Sequence, residues 1–357
     1  MPFQAHTNIK LSCAEKVMAQ VCAHLEEHDA EIEDKSGGKI VRYQGSAAHV
    51  SFGEDATRID VSSPTLEGLY FMRMAIVSHI REFAVGEAPS IQWHGDGGQL
   101  ARPPNFRVFE VAGVRDVTPH MRRITLAGED VERFAPLEAL HVNLVIPHPN
   151  GPADQWPRIG PDGLISWPDP EFRPSRRKYT VRNVDVETGT IDIDFVLHDD
   201  AGPGSGFASR ARAGDRIGMI GPGGGGLVRA DWYLFAGDET ALPAIARMLE
   251  SLPEDARGKA VIEIADAAEI QPLPTKASIE IEWLFRDAVA RGAGKALSSA
   301  VMDVRFPTDG STVYAWAGCE YNDFRAIRAY LRKERGLKKE EHLAVSYWRR
   351  GKEEEGE

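Results

Sequence analysis

The sequence has few cysteines and no long apolar segment. Its 357 residues include only 3 cysteines, Cys13, Cys22 and Cys319, which follow no regular spacing. A disulfide framework or a cysteine-ligated metal is therefore not expected, and a reducing cytoplasm is the expected compartment. No run of about 18 apolar residues occurs, so no membrane-spanning helix is predicted. The first residues also lack the basic start and apolar core of a signal peptide.

Positive charge is scarce as well. The chain has 42 Lys and Arg residues against 54 Asp and Glu residues, which gives a net charge of -12. Because nucleic-acid binding needs a basic surface, a general nucleic-acid-binding protein is not expected. The 11 histidines show no HExxH or comparable spacing, and no metal site is predicted. At roughly 100–200 residues per domain, the length predicts two or three domains.

Residues 1–89 are predicted to form a small α+β domain of unknown role. Apolar residues at helical spacing predict an amphipathic helix over 14–28, and short strands are expected within 39–61. Ser63 followed by Pro64 is typical of the start of a second helix. That helix has an apolar face formed by Leu66, Leu69, Tyr70, Val77 and Ile80. We recognise no catalytic constellation in this domain.

Residues 90–104 are rich in Gly and Pro and are predicted to be a linker. Residues 105–228 are rich in strand patterns. Strands are predicted over 106–111, 121–126, 141–146, 178–183, 190–197 and 216–220. The clearest is IDIDFVL, in which Ile191, Ile193 and Phe195 alternate with aspartates, as in a strand with one buried face. Short antiparallel strands separated by turn residues predict an antiparallel β-barrel.

Residues 229–351 alternate between strand and helix patterns. Strands are predicted over 232–235, 260–264, 279–284, 313–317 and 343–347, and helices over 240–252, 295–302 and 322–335. This alternation predicts a doubly wound, parallel α/β domain. Such a sheet binds ligands beyond the carboxyl ends of its strands. Residues 352–357 form a charged tail.

The first motif with chemical content is RKYTVR, residues 177–182. A flavin needs an aromatic ring against its isoalloxazine, a hydroxyl near N5 and a cation for the pyrophosphate. Tyr179, Thr180 and Arg177 supply these groups within four residues, and strand alternation places Arg177 and Tyr179 on one face. The alternative interpretation is an exposed basic strand end with one core tyrosine.

The second motif is LHDDAGPGSGFA, residues 197–208. Its glycines allow the backbone to approach an anion, and a short helix is expected to begin near Ser205. Free N–H groups at a helix start bind phosphate. A flexible turn is the alternative interpretation. The GGGG run at 223–226 is interpreted as a linker to the next domain.

Two further motifs follow strands of the predicted parallel sheet. In FAGDETALPAI, residues 235–245, Gly237 allows a tight turn between the first strand and its helix. In VYAWAGCE, residues 313–320, Cys319 lies at the carboxyl end of a strand. Each motif is either part of a nucleotide pocket or simply a strand–turn–helix junction, and the residues alone leave both interpretations open.

These motifs, in this order over about residues 104–351, resemble the siderophore-interacting protein family, the FAD-dependent ferric-siderophore reductases. The segments that carry the resemblance are RKYTVR, DFVLHDDAGPGSGFA, GDETALPAI, VYAWAGCE, RAIRAYLRKERG and SYWRRG. The sequence departs from the family at Gly206 and Phe207, where a bulkier residue and Trp are usual. Residues 1–89 resemble a small bacterial domain of uncharacterised function.

The resemblance implies a fold like that of ferredoxin–NADP⁺ reductase, with an FAD-binding antiparallel barrel and an NAD(P)H-binding α/β domain. It implies FAD contacts at Arg177, Tyr179, Thr180, His198, Gly204, Ser205, Phe207 and Ala208. It implies a nicotinamide nucleotide pocket lined by Gly237, Asp238, Glu239, Thr240, Gly318 and Glu320. No catalytic side chain is expected, because the flavin carries the chemistry.

The implied reaction is reduction of a chelated ferric ion. The flavin takes hydride from NAD(P)H and passes on single electrons, and Fe²⁺ is held less tightly by hard oxygen ligands. The basic residues expected to meet an anionic ferric siderophore are Arg173, Arg176, Lys178, Arg349 and Arg350. The first three serve equally well as partners of the FAD pyrophosphate. Trp348 either covers part of the flavin or packs in the core.

The choice of nicotinamide cofactor and of electron acceptor stays open. Acidic residues at 265–269, after the second strand of the sheet, suit the ribose diol of NADH, whereas Arg286 suits the 2′-phosphate of NADPH. Two alternative functions remain. One is a flavin-dependent NAD(P)H oxidoreductase with another acceptor, such as a ferredoxin or a quinone. The other is a siderophore-binding module without reductase activity. No nucleic-acid or integral membrane contact is expected.

Overall fold

The computed structural model describes residues 1–152, 154–198, 202–224, 226–290 and 294–351. The predicted tail, 352–357, lies outside these residues. The chain divides into two compact units. The first unit comprises residues 1–106 and 150–173, and the second comprises 107–149 and 174–357. In the described residues, no helix combines the length and the apolar character needed to cross a membrane.

The first unit contains a six-stranded antiparallel sheet and two helices that share its apolar core. Its elements are β1 (Phe3–Ile9), α1 (Ala14–Glu27), β2 (Glu31–Lys35), β3 (Gly38–Tyr43), β4 (Ser46–Phe52), β5 (Thr57–Ser63), α2 (Leu66–Phe83) and β6 (His94–Gly95). The strand order is β2-β3-β4-β5-β1-β6. The α+β prediction is confirmed. β2 was not predicted because its sequence, EIEDK, is almost entirely charged.

The start of α2 differs from the prediction. Ser63 is the last residue of β5 and pairs with Phe3 of β1, so it is not the helix cap. Thr65 occupies that position, and its hydroxyl accepts a hydrogen bond from the Gly68 N–H at 3.0 Å. The Ser63 hydroxyl instead contacts that of Ser46 at 3.0 Å. Pairing in the sheet therefore moves the helix start two residues along the chain.

The predicted linker is part of the first unit. Within 90–104, Ile91 and Trp93 are buried in the core of this unit, and β6 pairs with β1. The Gly- and Pro-rich composition was therefore misleading here, because it reflects turns between short packed segments. The interpretation of 90–104 as a free linker is corrected.

The second unit begins with a closed six-stranded antiparallel barrel, as predicted. Residues 106–223 form β7 (Phe106–Thr118), β8 (Met121–Ala127), β9 (His141–Ile146), β10 (Arg158–Ile159), β11 (Ile165–Ser166), β12 (Ser175–Asp185), β13 (Thr190–Val196), α3 (Pro203–Arg210) and β14 (Arg216–Gly223). The barrel order is β12-β13-β8-β7-β14-β9. The alternating residues Ile191, Ile193 and Phe195 are fully buried in its core.

The hairpin β10–β11 does not belong to the barrel. Residues 150–173 fall in the first unit, although the predicted barrel domain of 105–228 included them. The Trp93 indole N–H donates to the Asp162 carbonyl at 2.9 Å, and Arg81 pairs with the Asp162 carboxylate at 2.8 Å. The predicted boundary was wrong because these contacts join distant parts of the sequence.

The rest of the second unit is a five-stranded parallel sheet with flanking helices, which confirms the α/β prediction. Its elements are β15 (Trp232–Gly237), α4 (Leu242–Glu250), β16 (Arg257–Ile264), β17 (Ser278–Phe285), α5 (Arg286–Ala290), α6 (Leu297–Met302), β18 (Val313–Glu320), α7 (Tyr321–Ala329) and β19 (His342–Trp348). The order is β17-β16-β15-β18-β19. From β15 the chain adds β16 and β17 on one side, and then β18 and β19 on the other. The direction of strand addition therefore switches between β15 and β18, and such sheets bind ligands at that point.

Candidate functional site

Strand β12 carries the predicted flavin-binding residues. The Tyr179 ring packs against Phe195 with a centroid distance of 4.4 Å, and burial raises the pKa of its hydroxyl. Thr180 is buried on the opposite face. The Arg177 guanidinium donates to the Arg176 carbonyl at 2.8 Å, and no carboxylate of the described residues pairs with it. This strand therefore presents a cation that is free to meet an anion.

The glycine loop meets this strand at Tyr179. A Cβ on Gly204 would lie 2.0 Å from the Tyr179 hydroxyl oxygen, so only glycine fits there. Gly204 is in the first turn of α3, and the N-cap residue of this helix, Gly202, has no side chain that could cap it. The buried Ser205 hydroxyl accepts a hydrogen bond from the His198 N–H at 3.3 Å. The start of α3 lies against Tyr179 through Gly204, and a helix start whose N-cap residue offers no capping side chain fits a bound phosphate group.

The other predicted residues of this loop have different environments. Phe207 and Ala208 are buried in the barrel core, so their side chains support the helix from behind. The His198 side chain is exposed. Asp199 and Asp200, which were part of the motif, lie outside the described residues. The residues present therefore fit FAD through Arg177, the strand and the helix start.

The carboxyl edge of the parallel sheet is organised by Asp238. One oxygen of its carboxylate accepts hydrogen bonds from the N–H of Thr240 at 3.0 Å and from the hydroxyl of the same residue. The other accepts from the Glu320 N–H at 3.1 Å and from the Trp348 indole N–H at 2.8 Å. Burial raises the pKa of Asp238 to about 6. Asp238 thus connects the ends of β15, β18 and β19.

The remaining charges of this edge are also paired. Arg286 forms ion pairs with Glu239 and, at 3.1 Å, with Glu263. Glu320 caps α7 by accepting from the Asn322 N–H at 2.6 Å. The predicted pocket residues Asp238, Glu239, Thr240 and Glu320 therefore come together at one edge, held by bonds among themselves.

Two glycines permit close packing at the same edge. A Cβ on Gly237 would lie 2.6 Å from the Ala241 Cβ, and one on Gly318 would lie 2.8 Å from the Trp316 ring. Both glycines are buried at the carboxyl ends of adjacent strands, β15 and β18, which pair with each other. The two predicted pocket glycines are therefore neighbours, and each is required by the packing.

Tyr347 was missed by the sequence analysis. It lies on β19, and its hydroxyl is within hydrogen-bonding reach of the Thr180 side chain on the flavin strand. Its ring meets Trp316 edge-on, with a centroid distance of 6.1 Å. The SYWRRG segment contained the signal, but only Trp348 was considered there, and Trp348 is bound to Asp238. Tyr347 connects the parallel sheet to the barrel beside Thr180.

His141 was also missed. It pairs with Thr180 across the β9–β12 ladder, and burial together with the charge of Lys178 lowers its pKa. Gly224 has φ +115°, and a Cβ there would lie 2.5 Å from the His141 ring. Gly224 therefore packs against His141 in a conformation that favours glycine. This corrects the interpretation of the GGGG run as a plain linker.

The basic residues predicted to meet the substrate are distributed over both units. Lys178, Arg349 and Arg350 are exposed in the second unit, where Arg349 lies 4.5 Å from the centroid of the Tyr321 ring. Arg176 is half-buried on β12. Arg173 belongs to the first unit and lies over Trp167 at 5.5 Å. The second unit therefore presents exposed cations near the ends of β12 and β19.

The acidic residues that favoured NADH have other partners. Glu269 is buried and accepts hydrogen bonds from the Thr118 hydroxyl and from the His120 N–H at 3.0 Å. Asp266 accepts from the Ala268 N–H at 2.8 Å, within its own turn. The buried Glu269 is therefore not left to bind a ribose, and the argument for NADH rests on Asp266 alone.

Cys319 is a core residue. It is fully buried among apolar side chains, and burial raises the pKa of its thiol. Because the thiolate is the reactive form of cysteine, this residue is chemically inert. Of the two interpretations of Cys319, packing is the one that the structure supports.

Three family models match the chain. Residues 230–351 match the siderophore-interacting protein, residues 110–226 match the siderophore-interacting FAD-binding domain, and residues 6–94 match an uncharacterized protein conserved in bacteria. Ferric vibriobactin reductase ViuB of Vibrio cholerae is 33% identical over 252 residues, which cover 70% of this chain and 91% of that protein. Ferric acinetobactin reductase of Acinetobacter baumannii is 28% identical over 201 residues, or 55% of this chain and 68% of that protein.

Solved structures show the same relationship. The siderophore-interacting protein SipS from Aeromonas hydrophila is 31% identical with a TM-score of 0.59, covering 70% of this chain and 94% of that one. A siderophore utilization protein from T. fusca is 38% identical with a TM-score of 0.58, again covering 70% and 94%.

Proposed function

The chain belongs to the siderophore-interacting protein family, and we propose that it is an FAD-dependent ferric-siderophore reductase that takes hydride from NAD(P)H. The observation that carries this proposal is that Arg177, two residues before Tyr179 on β12, pairs with no carboxylate of the described residues, while Gly204 at the start of α3 lies against Tyr179 and the N-cap residue Gly202 has no side chain. These groups lie in the part of the chain that matches an FAD-binding domain. The names of two relatives as ferric reductases support the reaction class.

The proposal assigns each residue of the flavin side a task. Arg177 and the backbone N–H groups at the start of α3 would bind the pyrophosphate, because no described carboxylate pairs with Arg177 and the N-cap residue Gly202 has no capping side chain. Tyr179 would hold the strand against Gly204, and the Thr180 hydroxyl would lie at the reactive end of the ring. When bound, FAD supplies the step from a two-electron donor to a one-electron acceptor.

The nicotinamide nucleotide would bind at the carboxyl edge of the parallel sheet. Gly237 and Gly318 would allow the close packing that shapes this edge, and the loop 238–240 would be held in shape by the Asp238 hydrogen bonds. The rigid loop would position the nicotinamide, and positioning is the main contribution that a flavoprotein makes to hydride transfer. This edge and the flavin strand meet where Tyr347 contacts Thr180.

The proposed substrate is an anionic ferric chelate. Its entry would be guided by exposed cations in an otherwise acidic chain, namely Lys178, Arg349 and Arg350. Reduction to Fe²⁺ lowers the affinity of hard oxygen ligands and releases the iron. A cytoplasmic setting, in which NAD(P)H is available, is part of the proposal.

The test is a visible absorption spectrum of the purified protein, taken before and after anaerobic addition of NADH and, separately, of NADPH. The expected result is a bound-flavin band near about 450 nm that bleaches with at least one nucleotide. Subsequent addition of a ferric siderophore should restore the band. A protein that contains no flavin and does not bind added FAD would contradict the proposal and would favour a non-catalytic siderophore-binding module.

A further inference from the structure

Helix α4 is attached to the barrel by a buried arginine. Arg247 lies in the second half of α4 and is 7% exposed. Its guanidinium donates to the carbonyl of Val181 at 2.9 Å and to those of Phe134, Ala135 and Pro136 at 2.9, 2.9 and 3.1 Å. All four acceptors belong to the barrel half of the second unit.

Two local features of the barrel make these carbonyls available. Phe134 ends a 3-10 turn, so its carbonyl and that of Ala135 have no partner inside the turn, whereas the Pro136 carbonyl also accepts from the Ala139 N–H at 3.0 Å. The β12–β13 register shifts between Val181 and Asn183, so the ladder is interrupted beside the Val181 carbonyl. A cation at such a position also interacts favourably with the end of the turn. The barrel therefore offers a preformed socket for one guanidinium.

A second contact lies beside the first. Arg182 forms a bidentate pair with Glu250, the last residue of α4, with N–O distances of 3.0 and 2.6 Å. Val181 and Arg182 directly follow Tyr179 and Thr180 along β12. The end of α4 is thus bound to the flavin strand at two consecutive residues, immediately after the residues predicted to contact the flavin.

The other end of α4 carries the nucleotide loop. The loop 238–240 leads into Leu242, the first residue of the helix, and no residue separates it from the helix except Ala241. A nine-residue helix is about 13 Å long at about 1.5 Å per residue. A tilt of about 5° at the Arg247 end would move the loop by about 1 Å, and a displacement of that size reduces transfer rates by up to about a hundredfold.

We propose that Arg247 is a positioning residue for hydride transfer, which sets the nucleotide loop at the start of α4 against the flavin strand β12. The inference rests on the proposed function, since it concerns the reductive half of that reaction. A buried charge is rarely the most stable way to fill an interface, because an apolar residue of similar volume often packs as well. Its directional hydrogen bonds do fix one orientation of the helix, and that is the property hydride transfer needs.

The test compares the two half-reactions in Arg247→Met, which keeps the aliphatic volume of the side chain but removes the donors. The rate of flavin bleaching at saturating nucleotide should fall about tenfold or more. FAD content should stay at the wild-type level, and so should reoxidation of dithionite-reduced flavin by ferric siderophore. Arg247→Lys keeps the charge but has fewer hydrogen-bond donors. Its bleaching rate should lie between those of the wild type and of Arg247→Met.

Arg123→Met is the matched control, because Arg123 is a largely buried arginine, with a side chain 12% exposed, that pairs with Asp194 on the neighbouring barrel strand at 2.6 Å. It should lower the melting temperature without a selective loss of bleaching rate. Bleaching of Arg247→Met at the wild-type rate would overturn the proposal, and so would an equal slowing in both variants. If Arg247→Met does not fold, the same comparison is made with Arg247→Lys.

A second measurement does not depend on activity. Hydrogen exchange of the FAD-containing protein should become faster in Arg247→Met for peptides covering 131–140 and 179–184, and unchanged in peptides of β17. Equal protection in wild type and variant would contradict the role of Arg247 as an attachment. Wild-type protein that binds FAD but is not bleached by either nucleotide would instead remove the proposed function, and the exchange result would still decide the attachment.

Discussion

The charged groups of the flavin strand and those of the carboxyl edge of the parallel sheet differ in how far they are paired. On β12, Arg177 donates to a backbone carbonyl and pairs with no carboxylate of the described residues, and the N-cap residue of α3, Gly202, has no side chain to cap the helix. At the sheet edge, Asp238 accepts four hydrogen bonds and Arg286 is paired with two carboxylates. The flavin strand, the open side of the site, therefore leaves its cation available for a ligand. The sheet edge, the closed side, uses its charged groups in hydrogen bonds and ion pairs that fix its own conformation.

This difference indicates how each side should respond to change. Binding on the open side depends on charge and on how closely the backbone can approach an anion. Binding on the closed side depends on geometry, because the internal hydrogen bonds set the loop before any ligand arrives. Substitutions on β12 and α3 should therefore affect FAD retention, and substitutions at the sheet edge should affect folding stability and the nucleotide.

The largest effect is expected from Gly204→Ala. The new Cβ would lie 2.0 Å from the Tyr179 hydroxyl, so the tyrosine or the helix must move. FAD content of the purified protein should fall to a small fraction of the wild-type value. Gly113→Ala, on β7 of the same barrel, is the control, because a Cβ at Gly113 meets no atom of the described residues within 4 Å. Equal flavin content in both variants would show that Tyr179 and Gly204 do not form part of the flavin site.

The next largest effect is expected from Arg177→Ala. Loss of one hydrogen-bonding cation at an anion is worth about 1.5–3 kcal/mol, so the Kd for FAD should rise by about 10- to 100-fold. Lys178→Ala, which removes an exposed cation on the opposite face of the same strand, should change the Kd little. Fluorescence titration of the apoprotein with FAD measures both. An unchanged Kd in Arg177→Ala would remove the pyrophosphate assignment.

Asp238→Asn tests the closed side. The amide NH₂ would face N–H donors in either orientation, so the free energy of unfolding should fall by about 1–3 kcal/mol. The KM for the nucleotide should rise while FAD content is kept. Asp231→Asn is a control at the opposite, amino end of β15, where the carboxylate is exposed and caps Thr312. A loss of flavin in Asp238→Asn would contradict the assignment of Asp238 to the nucleotide side alone.

The same residue predicts a pH dependence. Burial raises the pKa of Asp238 from 3.8 to about 6, so between about pH 4 and 6 the folded protein binds this proton more tightly than the unfolded chain does. The free energy of unfolding of the wild type should therefore increase, relative to Asp238→Asn, as the pH falls through this window. Urea titrations at several pH values measure the difference. A difference that is constant from pH 4 to 7 would contradict the burial of a titrating carboxylate.

The smallest effect is expected from Tyr347→Phe, at the point where the two sides meet. The change removes one hydroxyl near Thr180 and keeps the ring against Trp316. Loss of one neutral hydrogen bond is worth about 0.5–1.5 kcal/mol, so the bleaching rate should change by less than about tenfold with FAD retained. Tyr314→Phe, on a neighbouring strand, provides a comparison for loss of a buried hydroxyl.

Local sequence patterns were sufficient for most of the second unit. The alternation in β13 and the strand–helix order after residue 229 predicted a barrel and a parallel sheet, because each pattern is set by which face of an element is buried. The motifs also predicted which residues collect at the carboxyl edge. β12 could be identified as a flavin strand because Arg177, Tyr179 and Thr180 are close in sequence.

Contacts between distant segments could not be predicted in the same way. Arg247 contacts Val181, which is 66 residues away in the sequence. Tyr347 and His141 both contact Thr180, at sequence separations of 167 and 39 residues. Ser63 and Thr65 both suit a helix cap, and pairing of Ser63 in the sheet decides between them. Glu269 matched a ribose-binding position in sequence, yet its contact with Thr118 is visible only in three dimensions.

The central claim is tested most directly by titrating the reduced, FAD-containing protein with a ferric siderophore in the absence of oxygen. Flavin absorbance and Fe²⁺, trapped by a ferrous-specific chelator, are followed together. The account predicts that about two Fe²⁺ appear for each flavin reoxidised, because a two-electron donor reduces a one-electron acceptor. Flavin that stays reduced in the presence of ferric siderophore, but is reoxidised by a ferredoxin or a quinone, would contradict it.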